Sequence, residues 1–105
     1  MIDESKYENA MQIVALAGTA KSAALTAIDA AEKGDFDAAA QALAQAREQM
    51  GQAHDVQFSM ISAEAAGNPV DVNVMLVHAE DHLAMAIVTI DLAERLIALY
   101  RRLEG

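Results

Sequence analysis

Two histidines one helical turn apart, His78 and His82, flank the carboxylate of Asp81 inside the run VHAEDHLAMA at 77–86. Imidazoles four residues apart on a helix lie on neighbouring parts of one face, and three chemistries suit such a pair. The rings can be ordinary polar contacts of a folded chain. They can bind a transition metal such as zinc together with a carboxylate, because i, i+4 histidines are good zinc ligands. Or a neutral ring nitrogen of His78 can attack a phosphoryl group and hold it as phosphohistidine, since imidazole is basic enough near neutral pH to need no separate strong base. In that third case helix amides are already bonded internally, so donors to the phosphoryl oxygens must be side chains, and His82 is the nearest. The other helical stretches carry no E-x-x-H pairs, which argues against a di-iron bundle.

The remaining polar groups are less pointed. His54 lies in AHDVQ with Gln57 close behind it, a pairing that reads first as a structural polar contact. The six methionines read as core filler. Acid runs such as IDESKYE read as solvated surface.

The chain that must position these residues divides at two breaks, EKGD at 32–35 and AGNPVD at 66–71. The first segment, roughly 4–32, repeats Tyr7, Met11, Val14, Gly18, Lys21, Leu25 and Ile28 at steps of three and four, a helical stripe. The second opens with Asp35 as N-cap and Asp37 in its first turn and runs to Gly67, a C-terminal stop, after which Asn68 and Pro69 break the helix. The third, roughly 70–103, ends in Arg101 and Arg102, where positive charge suits the helix dipole. Short connections between three such helices give an all-α, antiparallel up-down three-helix bundle forming one domain over 1–105.

On the third helix, Leu76, Leu83, Ile87, Ile90 and Ile97 fall on one side and suit the chain's own core. A second line, Val74, His78, Asp81, Met85, Val88, Leu92, Leu96 and Leu99, follows steps of mostly three and four on another side, like a coiled-coil seam. Glu80, Asp91 and Arg95 are left for a narrow solvent sector. Two apolar faces on one helix imply self-association through 74–99. Asp81 on that seam must then be neutralised by a cation, a shared proton or a basic side chain, unless it lies on a wet rim, because an uncompensated buried carboxylate costs several kcal/mol.

Composition removes several classes of function. A hydrophobic fraction of 54% with only 4% aromatic residues, rich in alanine, favours helices. Seven basic against sixteen acidic residues leave a formal charge of −9, which repels nucleic acid and anionic bilayers. The absence of cysteine removes disulfides, thiolate metal sites and cysteine nucleophiles. MIDESKYENA does not read as a signal peptide, and the apolar stretch 83–90 is too short to span a bilayer, so the expected location is the cytoplasm.

LVHAEDHLAMA, preceded by AHDVQFSMISAEAAGN and KGDFDAAAQALAQA, resembles the lactose/cellobiose-type enzyme IIA of the phosphoenolpyruvate-dependent sugar phosphotransferase system. The likeness runs from IVALAGTAKSAALTAI to LIALY, and its sharpest part is H-A-x-D-H-L at 78–83, supported by A-H-x-x-Q at 53–57. The resemblance implies a spectrin-repeat-like subunit assembled as a homotrimer, with the third helices near the threefold axis. It implies His78 as phosphoacceptor from the carrier HPr, His82 as a supporting group, and transfer onward to a cysteine of the IIB component. It also implies one divalent cation per trimer, most simply Mg2+, held by Asp81 of each subunit, and an oxygen-only ring suits such a hard ion. Sugar selectivity would belong to the membrane IIC component, with no membrane insertion of IIA itself. Three positions depart from the pattern: Glu80 replaces a usual glutamine, Lys21 an arginine in the G-x-A-R-S region, and Ala84 a methionine. Met75 and Met85 are candidates for an apolar docking patch beside His78. The rival is a helical metal-binding or scaffold protein with His78 and His82 as ligands and no transfer chemistry; a regulatory relative that uses phosphorylation as a signal is a third reading.

Overall fold

The computed structural model describes residues 5–104, so the expected helix start near residue 4 and the opening acids lie outside the described residues. Three helices follow in order: α1 at Ser5–Glu32, α2 at Phe36–Ala65 and α3 at Val74–Glu104. Strands are absent among the described residues.

Both helix ends at the connections are closed by glycine. Gly34 has φ +79°, with its N–H donating to Ala31 O and the Asp35 N–H to Ala30 O. Gly67, φ +91°, repeats the arrangement on Glu64 and Ala63, with the Asn68 N–H reaching Ala63 O. This pair of bonds satisfies carbonyls that the helix leaves orphaned, and only glycine enters the left-handed region without strain. Asp35 then starts the next helix: its Oδ1 accepts from the Ala38 N–H at 3.1 Å, as expected of an N-cap. Asp35→Ala is expected to cost about 1 kcal/mol, read as a lowered midpoint in urea with an unchanged slope.

The third helix begins later than its apolar pattern suggests. Asn73 Oδ1 accepts from the Leu76 N–H at 3.0 Å and its carbonyl from Val77, so Asn73 is the cap. The segment 70–73 behind Pro69 stays non-helical.

The packing also corrects the first stripe. The buried line of α1 is Ala10, Ile13, Ala17, Ala20, Ala24, Ala27 and Ala31, whereas Met11 and Leu25 of the expected stripe are 58% and 46% exposed. Both lines step by three and four. The alanine line wins because α1 is the central helix, packed on one side by α2 and on the other by α3, while α2 and α3 touch each other much less. Small side chains let two neighbours approach one helix axis closely; the larger residues then fill the flanks. The result is a slab of 57 × 28 × 18 Å.

The core is continuous along α1 but changes character. One half, around Ala20, Ala24, Leu43, Ala86 and Ile90, is alanine-dominated. The other holds Ile13, Leu83, Met60, Ala53 and Ala79 and underlies the histidines. Tyr7–Glu32 is long and apolar enough to cross a membrane by length and composition alone, which the core helix of a soluble protein also satisfies. In the fold its alanine line is buried between the two partner helices.

On α3, Leu83, Ile90 and Ile97 are buried as expected, joined by Ala79, Ala86 and Ala93, while Leu76 and Ile87 are half-buried. The second line is exposed: Val74, Met85, Val88, Leu92, Leu96 and Leu99 form an apolar ridge along one edge of the slab.

Candidate functional site

His78 and His82 project from the first half of α3, above the buried Ala79 and Leu83 that anchor this turn to α1. Their Nε2 atoms are 3.1 Å apart. The ring centroids are 4.4 Å apart and the planes nearly perpendicular, at 84°. His78 is exposed and His82 half-buried, so the pair is open to a visiting molecule from the His78 side. A hydrogen bond across this gap requires one Nε2 to donate and the other to accept, which fixes different tautomers on the two rings.

Asp81 is exposed, on the line of the apolar ridge beside the pair, and its side chain makes no hydrogen bond or ion pair among the described residues. Among those residues no group of three histidine, cysteine, aspartate or glutamate side chains is placed to hold a metal, so a three-ligand site of His78, His82 and a carboxylate is not assembled within one chain. One lone carboxylate on an apolar ridge does fit a hard cation shared between copies, because each copy would add one oxygen donor.

Glu80 is not on a solvent sector. It is half-buried and faces α2, accepting a 2.6 Å hydrogen bond from Gln57 Nε2. The difference from the expected solvent sector has a simple cause: Glu80 lies about 160° from His78 around α3 at about 100° per residue, and that flank is covered by α2. Within the subunit Glu80 therefore points away from the imidazole pair. The Gln57 amide has Glu80 as its partner, while His54 is exposed and joins neither this bond nor the histidine pair. Nearby, Met60, Ile61, Val70 and Leu76 line a depression of about 230 Å3 with the Gln57–Glu80 pair at its edge. Farther along, Arg47 and Glu94 form an exposed ion pair between α2 and α3. Asp91 and Arg95 are exposed as expected.

On the opposite flank, in the groove between α1 and α3, Lys21 borders an open depression of about 370 Å3 with Ala84, Met85, Val88 and Thr89. This begins one turn beyond His82. Met85 is 44% exposed there, whereas Met75 is half-buried against the core under the histidines. Of the two methionines, Met85 is the one presented to a partner.

The sequence pattern described as "PTS system, Lactose/Cellobiose specific IIA subunit" matches residues 8–101. The lactose-specific EIIA component of Streptococcus mutans is 41% identical over 91 residues, covering 87% of this chain and 88% of that protein. The cellobiose-specific enzyme IIA of Bacillus anthracis superposes with a TM-score of 0.94 at 35% identity, covering 99% of this chain and 94% of the other. The IIA(Chitobiose) subunit of Escherichia coli, solved in complex with HPr, gives 0.82 at 33% identity over 95% and 97% of the two chains.

Proposed function

Because the chain belongs to the lactose/cellobiose-specific IIA family of the sugar phosphotransferase system, we propose that His78 is its phosphoacceptor, charged by phospho-HPr and discharged to a cysteine of a IIB component in the cytoplasm. The observation that carries this reading is the exposed Nε2–Nε2 contact of His78 and His82. In the resting pair the His82 Nε2–H donates to the His78 Nε2, leaving the His78 proton on Nδ1. Phosphorus takes the place of that hydrogen bond on His78 Nε2, and the His82 N–H turns to a phosphoryl oxygen. The donor's N–P bond breaks as the new one forms, and the departing imidazole takes up the proton that the new phosphohistidine releases. In the onward step the sulfur of a IIB cysteine takes the phosphoryl group as the N–P bond breaks, and the proton given up by its thiol returns to the departing His78 imidazole. Little covalent chemistry falls to the protein beyond placing the reacting atoms in line.

HPr as donor is supported by the chitobiose relative, which was solved as an HPr complex. The net charge of −9 favours a basic carrier surface, and Met85 supplies exposed apolar area beside the pair. The test is HPr-dependent labelling, taken up in the Discussion.

The apolar ridge of α3 and the unpartnered Asp81 support a trimer in which three Asp81 carboxylates share a magnesium ion on the axis. The ion would neutralise charges that otherwise repel across the seam. Sedimentation velocity should show the wild-type assembly loosening when magnesium is chelated. Asp81→Asn should assemble equally with and without chelator, because the amides no longer repel; a chelator response that survives the substitution would remove Asp81 from this role.

A further inference from the structure

The Nε2 atoms of His78 and His82 are close enough for both to reach a single ion. Zinc binds imidazole nitrogen at about 2.0–2.1 Å, so two nitrogens on a tetrahedral zinc lie about 3.3 Å apart. The observed 3.1 Å separation is close to that value, so a chelate needs a slight opening of the pair and a turn of each ring that aims both Nε2 lone pairs at one point. Both side chains rise from successive turns of a helix anchored by Ala79 and Leu83, so the backbone that carries them needs no ordering on binding. His78 is exposed, neither ring has another side-chain partner among the described residues, and the chain contains no cysteine to compete for a soft ion.

We infer that His78 and His82 form a two-imidazole chelate for zinc, and that zinc on this chelate and a phosphoryl group on His78 exclude one another. The exclusion rests on the phosphoacceptor reading above; the chelate itself rests on geometry alone. In the metal-bound form both rings are neutral Nδ1–H tautomers. Zinc would be bound by both Nε2 atoms from one side of the pair, and the hydrogen formerly between them moves to His82 Nδ1 by exchange with water, so no net proton is released. Two waters complete the coordination. The site differs from the Asp81 position in ligand type and number, nitrogen pairs within one subunit rather than oxygens shared among copies, so magnesium at Asp81 does not compete for it.

The direct test is equilibrium dialysis of the full chain against zinc alone, with magnesium present throughout. One zinc per chain is expected for the wild type and for His54→Ala, and at least a tenfold loss of affinity for His78→Ala and for His82→Ala. Alanine at these two exposed or half-exposed helix positions preserves helicity, and imidazole nitrogen shifts of the wild type supply a second readout, with both Nε2 signals moving on addition of zinc. Undiminished binding in either His78→Ala or His82→Ala, or loss in His54→Ala alone, overturns the chelate. Protein already phosphorylated should bind zinc at least tenfold more weakly; equal binding overturns the exclusion. If the chain binds zinc as described but takes no phosphoryl group under chelating conditions, the phosphoacceptor reading fails and the exclusion with it, while the chelate stands.

Discussion

Replacing His78 with alanine is expected to abolish acid-labile phosphorylation by phospho-HPr, a loss of at least about 100-fold, because it removes the proposed phosphoacceptor. Circular dichroism should be unchanged. His78 is exposed in the second turn of α3, and alanine is the residue helices prefer. His82→Ala should reduce the rate while leaving the label on His78, since the role proposed for His82 is a hydrogen bond and not a bond to phosphorus. A chain in which His82→Ala loses the label and His78→Ala retains it would exchange the two roles.

Leu83→Ala carries the largest expected effect on stability. Leu83 is one of the two largest fully buried side chains, 1% exposed, and packs with Ile13, Met60 and Ala79 under the histidines. Truncating a buried leucine costs about 2–5 kcal/mol, the upper part of that range applying where the surroundings cannot collapse. Here the neighbours include Ala10, Ala53 and Ala79, whose side chains have no freedom to fill a void. Urea denaturation should show the loss as a lower midpoint, and the labelling rate should fall with the folded fraction. A change below about 1 kcal/mol would mean that the two helices close over the gap, contrary to the rigid alanine contact described above.

The sequence and the fold agree most closely where local chemistry is decisive. Gly34, Asp35 and Gly67 mark helix ends because a left-handed residue and a capping carboxylate have few substitutes. The apolar ridge from Val74 to Leu99 was legible because its residues are large and repeat at helical spacing. The buried face of α1 was not, since alanines at 17, 20, 24 and 27 give a weak hydrophobic signal beside Met11 and Leu25. Which of two neighbouring stripes is buried depends on how closely α2 and α3 approach, a tertiary property.

The same holds at the site. Spacing placed His78, Asp81 and His82 on one part of α3, and the 3.1 Å contact follows from the i, i+4 step. The direction of Glu80 depends on where α2 lies, so its bond to Gln57 could not be read from one helix. A hint was present in A-H-x-x-Q, but the pairing read there was His54 with Gln57. Asn73 was a missed signal: a capping residue immediately before the periodic run of α3.

The most direct measurement is the intact mass of the wild-type chain after incubation with phosphoenolpyruvate, enzyme I and HPr, followed by assignment of the phosphorus-bonded nitrogen by NMR. The account predicts one acid-labile phosphoryl group per chain, bonded to Nε2 of His78 and absent when HPr is omitted. An unmodified chain beside a competent control IIA, or a phosphoryl group on any other residue, would contradict it.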